Sequence, residues 1–171
     1  MVIWRLTDGK PGHEKQTLGL AHALLRKRTG ECFDLAAPSR TASLMQWMQG
    51  RFPEGSCLPP PDFLLAAGHA THFALLAARR AYGGKAVVLM KPSLPLSWFD
   101  LCVIPEHDTP PAHDNIIPVR GVLNAVQASS TPATDQGLIL IGGVSSHYRW
   151  DDATVGAAIA AIAQTTPQIT W

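Results

Sequence analysis

Residues 63–104 read FLLAAGHATHFALLAARRAYGGKAVVLMKPSLPLSWFDLCVI, and this stretch decides the fold. It holds three uniformly apolar runs, Phe63-Leu64-Leu65-Ala66-Ala67, Ala86-Val87-Val88-Leu89-Met90 and Leu101-Cys102-Val103-Ile104. Runs of this length without polar alternation suit strands covered on both faces, as in a parallel sheet. Between the first two, Phe73, Leu76, Ala77 and Arg80 recur at helical spacing until Gly83-Gly84 stops them. Alternation of strand and helix in this order predicts an α/β fold with a doubly wound parallel sheet.

Upstream, Val2-Ile3-Trp4-Arg5-Leu6 reads as a strand and Thr7 to His13 as a turn, before Leu18, Ala21, Leu24 and Leu25 mark a helix ending near Gly30. Phe33-Asp34-Leu35 is a second short strand, and Ser39 caps a helix expected to bury Leu44, Met45, Trp47 and Met48. Downstream, Asn115 to Val119 is a short strand that Pro118 confines to an edge. Gln127 to Gln136 has linker composition. A fresh unit then opens with Leu138-Ile139-Leu140-Ile141 as strand, Gly142-Gly143 as turn, a helix from Asp152 through Ala163, and Gln168 to Trp171 as the next strand. The expected organisation is a domain over residues 1–130, a linker over 131–137, and an opening β-α-β over 138–171. Such a β-α-β has little to pack against, which predicts that the chain is the front part of a longer protein.

Composition narrows the function classes. At 171 residues and 46% hydrophobic, the chain supports one packed core of ordinary size and is short for two complete domains. Fourteen Lys and Arg against thirteen Asp and Glu leave a net charge of +1, and the longest basic run is Arg26-Lys27-Arg28, so the footprint of a nucleic-acid binder is missing. No apolar stretch approaches the roughly 18 to 20 residues of a membrane-spanning helix, and the first residues lack a signal-peptide layout. The expectation is a cytoplasmic protein with room for a peripheral contact at the inner membrane. Cys32, Cys57 and Cys102 are odd in number and have no C-x-x-C spacing, which argues against a disulfide framework or a zinc site.

Ligands of open α/β sheets bind beyond the carboxyl ends of the strands, so the loops after Leu6, Ala67, Met90, Ile104 and Ile141 are the candidates. The first, Asp8-Gly9-Lys10-Pro11-Gly12-His13, leads into a helix start suited to an anion. It is neither G-x-G-x-x-G nor a Walker loop. His13 is a candidate general base, because histidine is the side-chain type that exchanges protons near neutral pH. Gly68-His69-Ala70-Thr71-His72 places two histidines three apart at a helix start, readable as a capping turn or, as the minority reading, half of a zinc site. Pro105-Glu106-His107-Asp108 gathers two carboxylates and an imidazole after a buried strand, readable as acid-base equipment, a hydroxyl clamp or a charged turn. In Gly142-Gly143-Val144-Ser145-Ser146-His147-Tyr148-Arg149-Trp150 the glycines allow close backbone approach. Ser145 and Ser146 offer hydroxyls, Arg149 a phosphate fork, and Tyr148 or Trp150 a stacking ring.

Four blocks carry a resemblance to a known family. They are Thr7-Asp8-Gly9-Lys10-Pro11-Gly12-His13 with Gln16, Asp100 through Pro105-Glu106-His107-Asp108, Asn115-Ile116-Ile117 with Gly121, and Ile141 through Trp150. Together they resemble the mitochondrial-fission ELM-type family, whose bacterial members carry a glycosyltransferase description. The resemblance implies a GT-B type architecture of two Rossmann-like domains, the first receiving an acceptor and the second holding a nucleotide-sugar donor. It places Gly9, Gly12 and His13 in a loop facing the acceptor and Gly142, Gly143 and Ser145 near the donor diphosphate.

The expected function is transfer of a sugar from a nucleotide diphosphate to a cell-envelope or lipid-linked acceptor, with no metal or other cofactor where loop dipoles and Arg149 neutralise the leaving group. The expected catalytic residues are His13, Glu106 and Asp108; the expected ligand-binding residues add Asp8, Gln16, Gly68, His69, His107, His147 and Tyr148 to the glycines, serines and arginine above. A second reading, implied by plant relatives that recruit dynamin-like proteins, is a non-catalytic binding module whose partner surface draws on Trp47, Trp98 or Trp150. A nucleotide-sugar epimerase ranks last, because the chain has neither the dinucleotide glycine motif nor a Tyr-x-x-x-Lys pair.

Overall fold

The computed structural model describes residues 1–127, 131, 133–142 and 149–171. Two compact units emerge, Met1–Val126 and Gln127–Trp171. The first unit runs β1 (Val2–Thr7), α1 (Pro11–Lys27), β2 (Glu31–Ala36), α2 (Arg40–Gln49), β3 (Phe63–Ala67), α3 (His72–Tyr82), β4 (Lys85–Leu89), β5 (Leu101–Pro105) and β6 (Ile116–Val119). Its six strands form one parallel sheet in the order β2-β1-β3-β4-β5-β6. This is the doubly wound α/β arrangement that the apolar runs predict.

Strand parity explains why those runs lack polar residues. Trp4, Leu6, Leu64, Ala66, Val88, Cys102 and Ile104 join the core that holds Ala74, Leu75, Ala77 and Ala78 of α3. The alternate residues Ile3, Leu65, Ala67, Val87, Leu89 and Val103 join the opposite core with Ala21 of α1. Each fully buried Leu or Ile contributes roughly 1.5–3 kcal/mol, so both faces demand apolar side chains. Cys102 is fully buried, and burial pushes its thiol up to about 11. It is the inert core thiol that its apolar neighbours suggest.

Ser39 caps α2 as expected, its Oγ accepting from Ala42 N at 3.3 Å. The buried face of α2 differs from the expectation. Met45 and Met48 are exposed, while Ser43 is buried and Leu44 and Trp47 are half-buried. The small Ser43 side chain donates to Pro38 O at 3.1 Å and lets α2 lie against α3, which rotates the methionines outward. Trp47 packs against Trp98 and Phe73 with ring centroids 5.1 and 5.8 Å apart, and both tryptophans are half-buried. Asp100 ties α3 to β4 by accepting from Ala86 N at 2.9 Å, Arg79 Nη1 at 3.1 Å and Lys85 Nζ at 3.1 Å. Burial pushes its carboxyl up, but these bonds outweigh burial and hold it below its ordinary value.

In the second unit the helix forms as α4 (Asp152–Thr165), with Asp151 accepting from Ala153 N at 3.2 Å as its cap. The strands expected at 138–141 and 168–171 do not. Among the described residues the pairing there reduces to one parallel bridge, Gln136 to Thr170. Leu138, Leu140 and Ile141 are exposed. An apolar run becomes a strand only when a neighbour takes its ladder, and the described residues of this unit provide no such neighbour.

Candidate functional site

Strand order makes the crevice. From β1 the chain moves outward to β2, then returns to place β3 on the other side of β1. The loops after β1 and β3 therefore diverge in opposite directions, and ligands of doubly wound sheets bind at such a reversal.

The loop after β1 is tightly built. Gly9 has φ +76° and donates its N–H to Glu14 Oε1 at 3.1 Å, while Asp8 Oδ1 accepts from Lys10 N at 3.2 Å. Pro11 stands at the start of α1, where its missing N–H costs nothing. One turn in, His13 Nδ1 meets Asp8 Oδ2 at 2.8 Å. The Asp8 side chain is only 4% exposed and that of His13 20% exposed, so the pair is shielded on the carboxylate side and reachable on the imidazole side. A carboxylate on Nδ1 selects the tautomer whose Nε2 carries the lone pair.

Gly68 closes the pair from β3. Its φ is +84°, and a Cβ there would overlap the His13 ring and stand 3.1 Å from Asp8 Oδ2. His13 and Gln16 are three residues apart on one face of α1. Gln16, 93% buried, reaches over the sheet to donate to Met90 Sδ at 3.5 Å. Met90 itself holds φ +70° at the end of β4, a conformation uncommon outside glycine. Asp8, His13, Gln16, Gly68 and Met90 thus gather along the carboxyl ends of β1, β3 and β4.

Arg5 fixes α1 above this point. It is buried in β1, where its Nη1 grips Asp34 Oδ1 and Oδ2 at 2.7 and 2.8 Å. Its Nη2 donates to Glu14 O at 3.0 Å and its Nε to Thr17 Oγ1 at 3.3 Å. Sequence reasoning passed over Arg5, Asp34 and Met90. Arg5 did leave a signal, as a lone charge inside an apolar strand.

The other expected residues lie apart. Glu106, His107 and Asp108 form a short 3-10 turn after β5, three strand positions from β1, or roughly 14 Å along the sheet. His107 Nε2 stands 3.8 Å from Asp108 Oδ1, and Lys91 Nζ donates to Asp108 O at 3.3 Å. No bond joins this turn to the Asp8–His13 pair. Gly12 is exposed, and a Cβ there would meet open space. His69 is exposed and packs edge-on against His72. Among the described residues no group of three His, Cys, Asp or Glu could hold a metal, so the histidine pair has no third ligand. In the second unit Gly142 and Trp150 line an apolar hollow of about 300 Å³, and Arg149 is exposed. Gly143, Ser145, Ser146, His147 and Tyr148 lie outside the described residues. No helix among the described residues is long and apolar enough to cross a membrane.

His72 is only 2% exposed, and burial, followed by the fields of His69 and Arg40, pushes its imidazole down to about 4. A histidine depressed in the folded state stays neutral while the unfolded chain takes up a proton near 6.5. Stability is therefore full above pH 6.5, falls as pH drops towards 4, and levels off below it. At pH 4.5 the loss from this residue is about 2–3 kcal/mol relative to pH 7.5. A His72→Leu protein should lose correspondingly less over that interval in urea unfolding. Equal losses in both proteins would assign the acid sensitivity to other groups.

Comparison with curated proteins and with solved structures gives no match. A family model described as mitochondrial fission ELM1 matches residues 11–171, a span that begins at α1 and includes His13, Gln16, Gly68 and the Glu106–Asp108 turn. With most of its length covered by that model, the chain belongs to the mitochondrial fission ELM1 family.

Proposed function

We propose that this chain takes part in transfer of a sugar from a nucleotide-diphosphate donor to a hydroxyl acceptor of the cell envelope or of a lipid-linked carrier. The observation that carries the reading is the Asp8–His13 pair at 2.8 Å, set where the sheet order reverses. Membership of the family supports it at the level of general kinship. In the proposed step His13 Nε2 takes the proton of the acceptor hydroxyl as that oxygen bonds to the anomeric carbon. The nucleoside diphosphate leaves with the bonding electron pair. Asp8 holds the imidazole and stabilises the imidazolium that forms. Glu106 and Asp108, displaced along the sheet, fit acceptor hydroxyls better than the proton transfer itself. The donor half of the proposal falls to the second unit, where Arg149 supplies the phosphate fork.

The test is stabilisation of the chain by UDP-, GDP-, dTDP- and CMP-sugars, with NAD as control. A ligand at 100 times its Kd adds about 2.7 kcal/mol, enough for a clear rise in Tm. A rise with one nucleotide-sugar names the donor, and a rise with NAD alone overturns the reading. No rise with any of them favours the alternative of a binding module. The exposed Leu138, Leu140, Ile141 and Trp150 would then be its partner surface.

A further inference from the structure

Glu14 is bonded at both its ends to the parts of the chain that carry the Asp8–His13 pair. Its side-chain Oε1 accepts from Gly9 N at 3.1 Å, which fixes the peptide joining Asp8 to Gly9. Its backbone follows His13 directly, and its carbonyl accepts from Arg5 Nη2 at 3.0 Å and from Thr17 Oγ1 at 3.1 Å. Arg5 is only 4% exposed, and Asp34 of β2 holds it through both carboxylate oxygens. One residue thus ties the loop that carries Asp8 to the helical turn that carries His13, and a buried guanidinium anchors that tie to the sheet.

The loop needs such a tie. Gly9 sits at φ +76°, and a glycine resists rotation of its flanking peptides less than any other residue. Rotation of the Asp8–Gly9 peptide would swing the Asp8 side chain, whose Oδ2 stands 2.8 Å from His13 Nδ1. The bond from Lys10 N to Asp8 Oδ1 at 3.2 Å is local to the loop and turns with it. Glu14 is half-buried and lines an open hollow of about 280 Å³ with Arg5, Lys15 and Asp34, to which neither Asp8 nor His13 contributes. Its position suits it to act through its neighbours and not on a reacting group.

We propose that Glu14, anchored by Arg5, is a positioning residue that sets the Asp8–His13 contact and with it the tautomer of His13. The hydrogen bond to Gly9 does this, not the charge of the carboxylate. Glutamine, which keeps an acceptor oxygen at the same reach, can therefore replace Glu14, and alanine cannot. The other use of an acidic side chain in the first turn of a helix is attraction to the helix dipole, which depends on the charge and is lost in both variants. The expected effect on turnover rests on the sugar transfer proposed above, whereas the effect on the tautomer does not.

The experiment reads the ring nitrogen shifts of His13 by NMR in the whole chain at about pH 8.5, above the ordinary histidine range, where the two neutral tautomers are told apart. The parent and Glu14→Gln are expected to hold the Nδ1–H form, and Glu14→Ala to relax to a mixture of both forms. The bond that alanine removes is exposed, so the fold is kept, and unchanged amide signals from β3 and β4 verify this. In sugar transfer Glu14→Ala should lose about tenfold to a hundredfold in kcat with KM little changed, while Glu14→Gln stays within about threefold of the parent. A Glu14→Ala protein that keeps the parent's tautomer, a Glu14→Gln protein that loses it, or a parent that already holds the mixture would overturn the proposal. Absence of sugar transfer in the parent would sink the transfer and leave the tautomer result standing.

Discussion

Gly68→Ala is expected to unfold about 2–5 kcal/mol more easily than the parent and to lose turnover. Two separate costs add. At φ +84° an L side chain pays about 1–2 kcal/mol for the left-handed backbone alone. The new methyl would also overlap the His13 ring and crowd Asp8 Oδ2, so either the loop after β3 or the start of α1 has to move. Crowding of this kind costs typically 1–3 kcal/mol, and a shift of about 1 Å in a positioned base is enough to lower turnover a hundredfold. Gly12→Ala is the control, since its backbone is helical and its Cβ meets open space. That variant should match or slightly exceed the parent in stability. Urea unfolding of the three proteins decides the matter, and a Gly68→Ala protein as stable as the parent would break the geometry described for the crevice.

Under the proposed sugar transfer, His13→Ala should lower the rate by about two to four orders of magnitude with Tm and donor affinity nearly unchanged. The side chain is partly exposed and anchors no core contact, so its removal leaves the sheet intact. Asp8→Asn separates the roles. Asparagine keeps the size of the side chain but removes the charge that selects the Nδ1–H tautomer, so kcat should fall about a hundredfold or more with KM little changed. Asp8 acts through His13, and the double variant should be no slower than His13→Ala alone. Full turnover by His13→Ala removes it from the reaction. A double variant much slower than either single one would mean that Asp8 acts independently.

Much of this architecture was legible in the residues, and physical reasons separate what was from what was not. The runs at Phe63–Ala67, Ala86–Met90 and Leu101–Ile104 announce themselves because a strand covered on both faces tolerates no polar alternation. Ser39 was readable as a cap because capping is a local bond, closed within three residues. Leu138–Ile141 misled because apolarity is a property of the run, whereas strand formation is a property of the run and its neighbour. At the site, Asp8, His13 and Gly68 could each be suspected from composition. Their contact could not, because it exists only once β3 lies beside β1 and α1 crosses above them. Arg5 shows the same limit. Its partners Glu14 and Thr17 come from α1 and Asp34 from β2, and no local pattern brings them together.

The placement of β1 between β2 and β3 also sets a timetable for synthesis. Ile3, Trp4 and Leu6 leave the ribosome well ahead of β3, and one edge of their strand has no mate until Phe63–Ala67 has been made. That gap is roughly 60 residues, or about 3 to 12 seconds at ordinary translation rates of 5–20 residues per second. During that interval β1 and β2 can pair only as an incomplete two-stranded piece, with an apolar edge open to any passing strand. Parallel pairings of such long sequence separation are slow to close even after the partner arrives. The nascent chain is therefore most exposed to misassembly before the crevice exists at all, and a chaperone would find its longest opportunity there.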